Sequence, residues 1–158
     1  MPAKRRTDTP PPRTGNSEAE VLRGFLDYLR TSIAAKVDGA SEPQVRTAMV
    51  PSGTNLLGLL NHLTSVERSL FLGEDVTTWQ ATFKASPNDS VAEIVAHYRK
   101  TVERANKVLD ACTDLAAPIP GRPAPSVRWA LTHMIEETGR HAGHADILRE
   151  LIDSTTGR

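Results

Sequence analysis

The chain is poor in the features that usually assign a partner. Only one of its 158 residues is cysteine, Cys112, so no intramolecular disulfide can form. That fits a reducing compartment and argues against a disulfide-stapled secreted fold. A surplus of charge is missing too: 19 basic and 19 acidic side chains sum to zero, leaving no global field to draw the chain onto nucleic acid or anionic lipid. No apolar run approaches the roughly 18 to 20 residues of a membrane span. The basic residues near the start have no apolar stretch behind them, as a secretory signal would require. These absences predict a soluble, cytoplasmic protein with neither a nucleic-acid nor a membrane partner.

What is present is one ordinary domain. Apolar residues make up 39% of the chain, which is the range of packed soluble proteins rather than disordered ones. The length suits a single core. Residues 1–16 are the exception: Lys4, Arg5, Arg6 and Arg13 surround a run of three prolines, which predicts a disordered basic tail. Four basic residues without an aromatic partner fall short of a nucleic-acid footprint.

Helical periodicity takes over at Ser17. Ser17 and Glu20 form a capping box ahead of Val21, Leu22, Phe25, Leu26, Leu29 and Ile33, predicting a first helix from Ser17 to Val37. Gly39, Pro43, Pro51 and Gly53 mark a loop. Thr54 is the expected cap of a second helix through Leu56, Leu59, Leu60, Leu63, Val66 and Leu70 to Gly73. A third starts after Asp89 or Ser90 and carries Ile94, Val95, Tyr98, Val102, Ala105 and Leu109. Four prolines between Ala117 and Pro125 enforce another loop, and Ser126 caps a fourth helix reaching about Ile152. No alternating run supports a strand. The expectation is an all-α four-helix bundle over residues 17–153 with long connections, followed by a flexible 154–158.

Chemistry concentrates in the fourth helix. Three of the five histidines fall in HMIEETGRHAGH. At about 100° per residue, His133, Glu137, His141 and His144 project into an arc of roughly 80°. Ala130, Met134, Leu148, Leu151 and Ile152 project into or beside the same arc, so the polar stripe overlaps the core-facing one. A buried carboxylate beside buried imidazoles needs compensation. A divalent cation provides it, since Glu137 and His141 stand one helical turn apart. The best third ligand is His62, which borders the apolar face of helix two. Such a His, Glu, His set leaves a coordination position open for chemistry. Periodicity alone leaves open the plainer alternative, an i,i+4 surface hydrogen bond between Glu137 and His141. His133 and His144 read as supporting donors, alternative ligands, or hydrogen-bonding residues at the bundle's end. His97 reads as a surface or packing residue, and Cys112 as a small buried apolar one. The H-E-x-x-H, P-loop and G-x-S-x-G patterns are absent, and neither His133 nor His141 has the Glu three residues before it that a di-iron bundle uses.

The segments GTNLLGLLNHLTSVERSLFLG and SVRWALTHMIEETGRHAGHADILREL together resemble the DinB-like (damage-inducible) superfamily of metal-binding four-helix proteins. The likeness is strongest to its actinobacterial branch, sometimes labelled mini-circle proteins. That superfamily includes mycothiol-dependent maleylpyruvate isomerases and bacillithiol-type thiol transferases. The resemblance implies a zinc-type ion held by three side chains, here His62 of the HL-x-x-VE motif together with Glu137 and His141. Many relatives carry histidine where this chain has Glu137, and the isomerase-like branch resembles it in using glutamate. The isomerases have an additional C-terminal domain, so their particular reaction is not implied.

The expected function is a metal-dependent transferase for a low-molecular-weight thiol such as mycothiol, or a related lyase-type enzyme, with zinc or nickel ionising the sulfur for attack on an electrophile. Arg128, Arg140 and Arg149 are the expected contacts for acidic groups of thiol or substrate. A non-catalytic, metal-stabilised binding or stress-response module is the alternative. A homodimer fits the resemblance and the habit of four-helix bundles to pair through an apolar face.

Overall fold

The structure, a computed structural model, describes residues 8–13 and 15–157. It contains four helices: α1 (Glu18–Val37), α2 (Leu56–Leu72), α3 (Val91–Asp110) and α4 (Val127–Asp153). Among the described residues there is no strand, and the chain is an all-α four-helix bundle. No helix among them is long and apolar enough to cross a membrane.

The helix starts follow local hydrogen bonding. Ser17 and Ser90 each accept from the backbone three residues on, and Glu20 and Glu93 return the bond, so α1 and α3 both begin with complete capping boxes. Ser126 caps α4 by accepting from the Trp129 amide. The start of α2 differs from expectation by one residue. Asn55 is its cap, accepting from the Gly58 amide at 2.8 Å, whereas the Thr54 hydroxyl lies 2.8 Å from that of Ser52. At its other end Gly73 takes the left-handed conformation, φ 66°, which glycine adopts without steric cost.

Helix pairing follows chain order only for α2 and α3. α1 packs chiefly on α4 and α2 chiefly on α3, with α2 against α4 joining the two pairs. α2 is consequently buried on most sides: Leu56, Leu57, Leu59, Leu60, Leu63, Leu70 and Phe71 are covered, and so are the polar His62, Thr64 and Glu67. Leu26 and Ile33 of α1, Val95 and Tyr98 of α3, and Leu131 and Met134 of α4 close over it. A fully buried ionic contact crosses this interior. Arg30 grips Glu67 with two hydrogen bonds of 2.7 Å and adds Asp27 and Asn106 at 2.9 Å each. Burial pushes the Glu67 carboxyl above its ordinary pKa, against the pull of Arg30.

The connections carry structure that periodicity did not reveal, namely 3-10 turns at Gln44–Arg46 and Trp79–Phe83. The second lies against α2. A Cβ built at Gly58 would come closer than 3.0 Å to the Phe83 carbonyl oxygen, so the absence of a side chain there admits the turn. Asn61 then holds it by donating to the Thr82 carbonyl at 2.7 Å. Of the expected tail, residues 1–7 and 14 lie outside the described residues, as does residue 158. Thr9 meets α1, where its carbonyl accepts from the Tyr28 hydroxyl at 2.8 Å. The Lys36 ammonium donates to the Gly157 carbonyl.

Candidate metal centre

Buried polar side chains gather where α2, α4 and the Trp79–Phe83 turn meet. The ligand atoms of His62, Glu137 and His141 all lie within 4.8 Å of one another. One carboxylate oxygen, Glu137 Oε2, stands 3.4 Å from His62 Nε2 and 3.4 Å from His141 Nε2. Both rings are buried while Glu137 is half-buried, so the group opens to solvent at the carboxylate.

Each ring is held from behind. His62 stacks on Phe83, centroids 3.9 Å apart and planes 12° from parallel, and its Nδ1 meets the Thr82 hydroxyl at 2.8 Å. The His141 ring stands edge-on to His62, centroids 5.1 Å apart, and its Nδ1 lies 3.3 Å from His144 Nδ1. Burial is the main cause that lowers the pKa of His62, opposed by Glu137. Burial, followed by the charge of His62, pushes His141 down to about 4. Both rings are therefore neutral at pH 7, the state in which imidazole binds a metal.

This donor set fits a divalent cation. Two neutral imidazole nitrogens and one carboxylate oxygen converge on one point, both Nδ1 atoms are engaged elsewhere, and the carboxylate brings the only formal charge within the triad. Three protein ligands leave a coordination position for a small molecule.

The rest of the helix-four stripe lies elsewhere. The buried residues of α4 centre on the line through Met134 and Ala145. At about 100° per residue His141 is roughly 20° from that line, Glu137 roughly 60°, and His133, His144 and Leu151 roughly 80 to 100°. Leu151, expected to face inward, is 54% exposed. His133 lies tilted against Trp129, ring centroids 4.9 Å apart, and approaches Glu136 at 3.5 Å, away from the triad. His144 is exposed but touches His141. His97 is exposed, and Cys112 is half-buried with its thiol on the Val108 carbonyl.

The three arginines do not join this group. Arg128 pairs with Glu18 at 2.6 Å, roughly 13 Å along α4 from Glu137 at 1.5 Å per residue. Arg149 holds Asp153 and the Lys36 carbonyl, both at 2.8 Å, roughly 12 Å beyond His141 by the same rise. Arg140 is exposed beside the site and lies 3.6 Å from Glu136. Thr82, Phe83 and Gly58, by contrast, shape the centre without having been singled out from sequence. The one local signal was a glycine inside a leucine-rich helix, one turn before His62.

A family model for mycothiol-S-transferases matches residues 21–154. The chain belongs to the mycothiol-S-transferase family. That family is DinB-like, in agreement with the resemblance carried by the α2 and α4 segments. No curated protein matches the chain. Within this mycothiol-S-transferase family member, the matched stretch contains all three residues of the triad and the Trp79–Phe83 turn behind them.

Ser52 and Thr54 line two depressions that reach residues touching the triad rings, His144 in one and Phe83 in the other. One, of about 270 Å³, lies between Val50, Ile147, Leu148 and His144. The other, of about 590 Å³, is lined by Thr78, Gln80 and Lys84 with Phe83. Both hollows have largely apolar walls, and the larger also carries polar side chains from Thr78, Gln80 and Lys84.

Proposed function

We propose that this protein is a metal-dependent transferase that moves the sulfur of a low-molecular-weight thiol, mycothiol or a close analogue, onto an electrophile. His62, Glu137 and His141 would hold the ion, and zinc and nickel are among the cations that suit such a nitrogen and oxygen donor set. When bound, a divalent ion supplies the Lewis acidity that keeps a coordinated thiol ionised near neutral pH. The chain's own residues do the rest. Glu137 contributes the negative charge that partly offsets such a cation, and Phe83 walls the back of His62 against water. The polar side chains of Lys84 and Gln80 in the larger hollow suit a hydroxyl-rich thiol, while the smaller hollow beside Ile147 suits the electrophile. Of the three arginines, Arg140 is nearest the triad along α4 and would meet an acidic group, as Arg128 and Arg149 are committed to ion pairs roughly a dozen ångströms away along that helix.

The convergence of three donors from two helices within 4.8 Å carries this reading, and the family supports the thiol. The test is to load the purified chain with zinc or nickel and assay conjugation of a generic electrophile with several thiols, mycothiol among them, beside His62→Ala. Thiol-dependent turnover lost in the variant supports it. Metal-dependent melting without turnover for any thiol would instead make the chain a metal-stabilised binding module. We further infer a cytoplasmic location, where such thiols are kept reduced.

A further inference from the structure

The Thr82 hydroxyl has one proton, and its two neighbours decide where it goes. Thr82 Oγ1 lies 2.5 Å from the Trp79 carbonyl oxygen, and a carbonyl oxygen can only accept. The same hydroxyl lies 2.8 Å from His62 Nδ1. With its proton spent on Trp79, Thr82 can only accept from the ring, so Nδ1 carries the hydrogen. A neutral imidazole carries one N–H, and Nε2 is left as a bare lone pair. That lone pair faces Glu137 Oε2 at 3.4 Å, an oxygen that is itself acceptor-only when ionised. Two lone pairs meeting at the edge of a buried interior are unfavourable by themselves, and a cation between them resolves the conflict.

We propose that Thr82 is a positioning residue that fixes His62 in the Nδ1–H tautomer and so aims its unprotonated Nε2 at the point shared with Glu137 and His141. The fixing extends through the turn that carries Thr82. Asn61, the neighbour of His62 on α2, holds the Thr82 carbonyl, and Phe83 stacks on the same imidazole. The connection between α2 and α3 therefore sets both the protonation pattern and the ring plane of a residue on the helix before it. The inference rests on the metal-centre reading for its purpose, but its hydrogen-bond pattern exists with or without an ion.

The test uses the full chain, metal-free and labelled with nitrogen-15 at histidine, with long-range proton–nitrogen spectra to read the His62 tautomer. Competition for zinc against a chromophoric chelator reads affinity. The wild type should show the Nδ1–H tautomer. Thr82→Val should shift His62 towards the Nε2–H form and weaken zinc about 10- to 100-fold, while Thr82→Ser restores both. A wild type with hydrogen on Nε2 overturns the proposal, and this measurement stands even if Thr82→Val fails to fold. A folded Thr82→Val that keeps either the wild-type tautomer or the wild-type zinc affinity overturns it as well. Failure of the wild type to bind zinc at all would strike the metal-centre reading instead, leaving the tautomer spectra to decide the role of Thr82.

Discussion

Gly58 on α2 lies so close to the carbonyl oxygen of Phe83 that no side chain fits between them. The contact brings the Trp79–Phe83 turn down onto the helix one turn before His62, where Thr82 and Phe83 reach the imidazole. Gly58→Ala should accordingly act on the site through the turn. A helix interior gains about 1 kcal/mol from alanine over glycine, but the obstructing atom is backbone and overpacking of this kind costs about 1–3 kcal/mol. The expected net result is a modest fall in melting temperature with a disproportionate loss of zinc affinity, checked by calorimetry and chelator competition on the same sample. An unchanged zinc affinity would show that the turn does not control His62.

Glu137 supplies the triad's only carboxylate. Glu137→Gln keeps the shape and removes the charge, so it should lower zinc or nickel content after purification without an affinity tag. His62→Ala and His141→Ala should do the same. Elemental analysis of the four proteins side by side decides the matter: equal metal in all of them would mean that the ion, if any, is held elsewhere.

The pH response has a definite sign. Burial holds His62 below the ordinary value of 6.5 and His141 at about 4. The unfolded chain therefore takes up protons first as pH falls. The contribution of these rings to stability is full above about pH 6.5 and is lost progressively down to about pH 4, with no further loss from His141 below that. Melting of the metal-free protein across this window should show the decline, and His141→Gln should flatten it.

Glu67 is fully buried against Arg30. Removing one member of such a pair strands the other charge, at a cost of about 3–5 kcal/mol. Glu67→Ala should lose stability on that scale in urea unfolding, while zinc affinity of the still-folded fraction stays near wild type, because the pair takes no part in the triad. A loss under about 1 kcal/mol would show that the interior relaxes around Arg30 or admits water.

The four helices were legible because each carries its own signal: Ser17, Ser90 and Ser126 as caps, apolar residues at three- and four-residue steps, and prolines between Ala117 and Pro125. Glu137 and His141 were readable as one turn of α4 and His62 as a residue on the apolar edge of α2, since helical spacing alone places them. Thr82 was not readable. It belongs to a 3-10 turn without apolar periodicity, twenty residues from His62, and only the packing of that turn against Gly58 brings the two together. The inward assignment of Leu151 failed for a related reason. An 80° arc identifies a stripe, but the neighbours α1 and α2 decide which edge of it is covered.

What the amino-acid order determines here is local: where helices begin and stop, which faces are apolar, and which side chains stand a turn apart, because backbone hydrogen bonding and capping act over a few residues. What only the tertiary structure decided is convergence. Donors from α2 and α4, separated by 75 residues between His62 and Glu137, meet because α2 packs between α3 and α4 and draws a connecting turn over its own surface. Burial against that surface sets which ring nitrogens remain free, and no spacing along the chain encodes it.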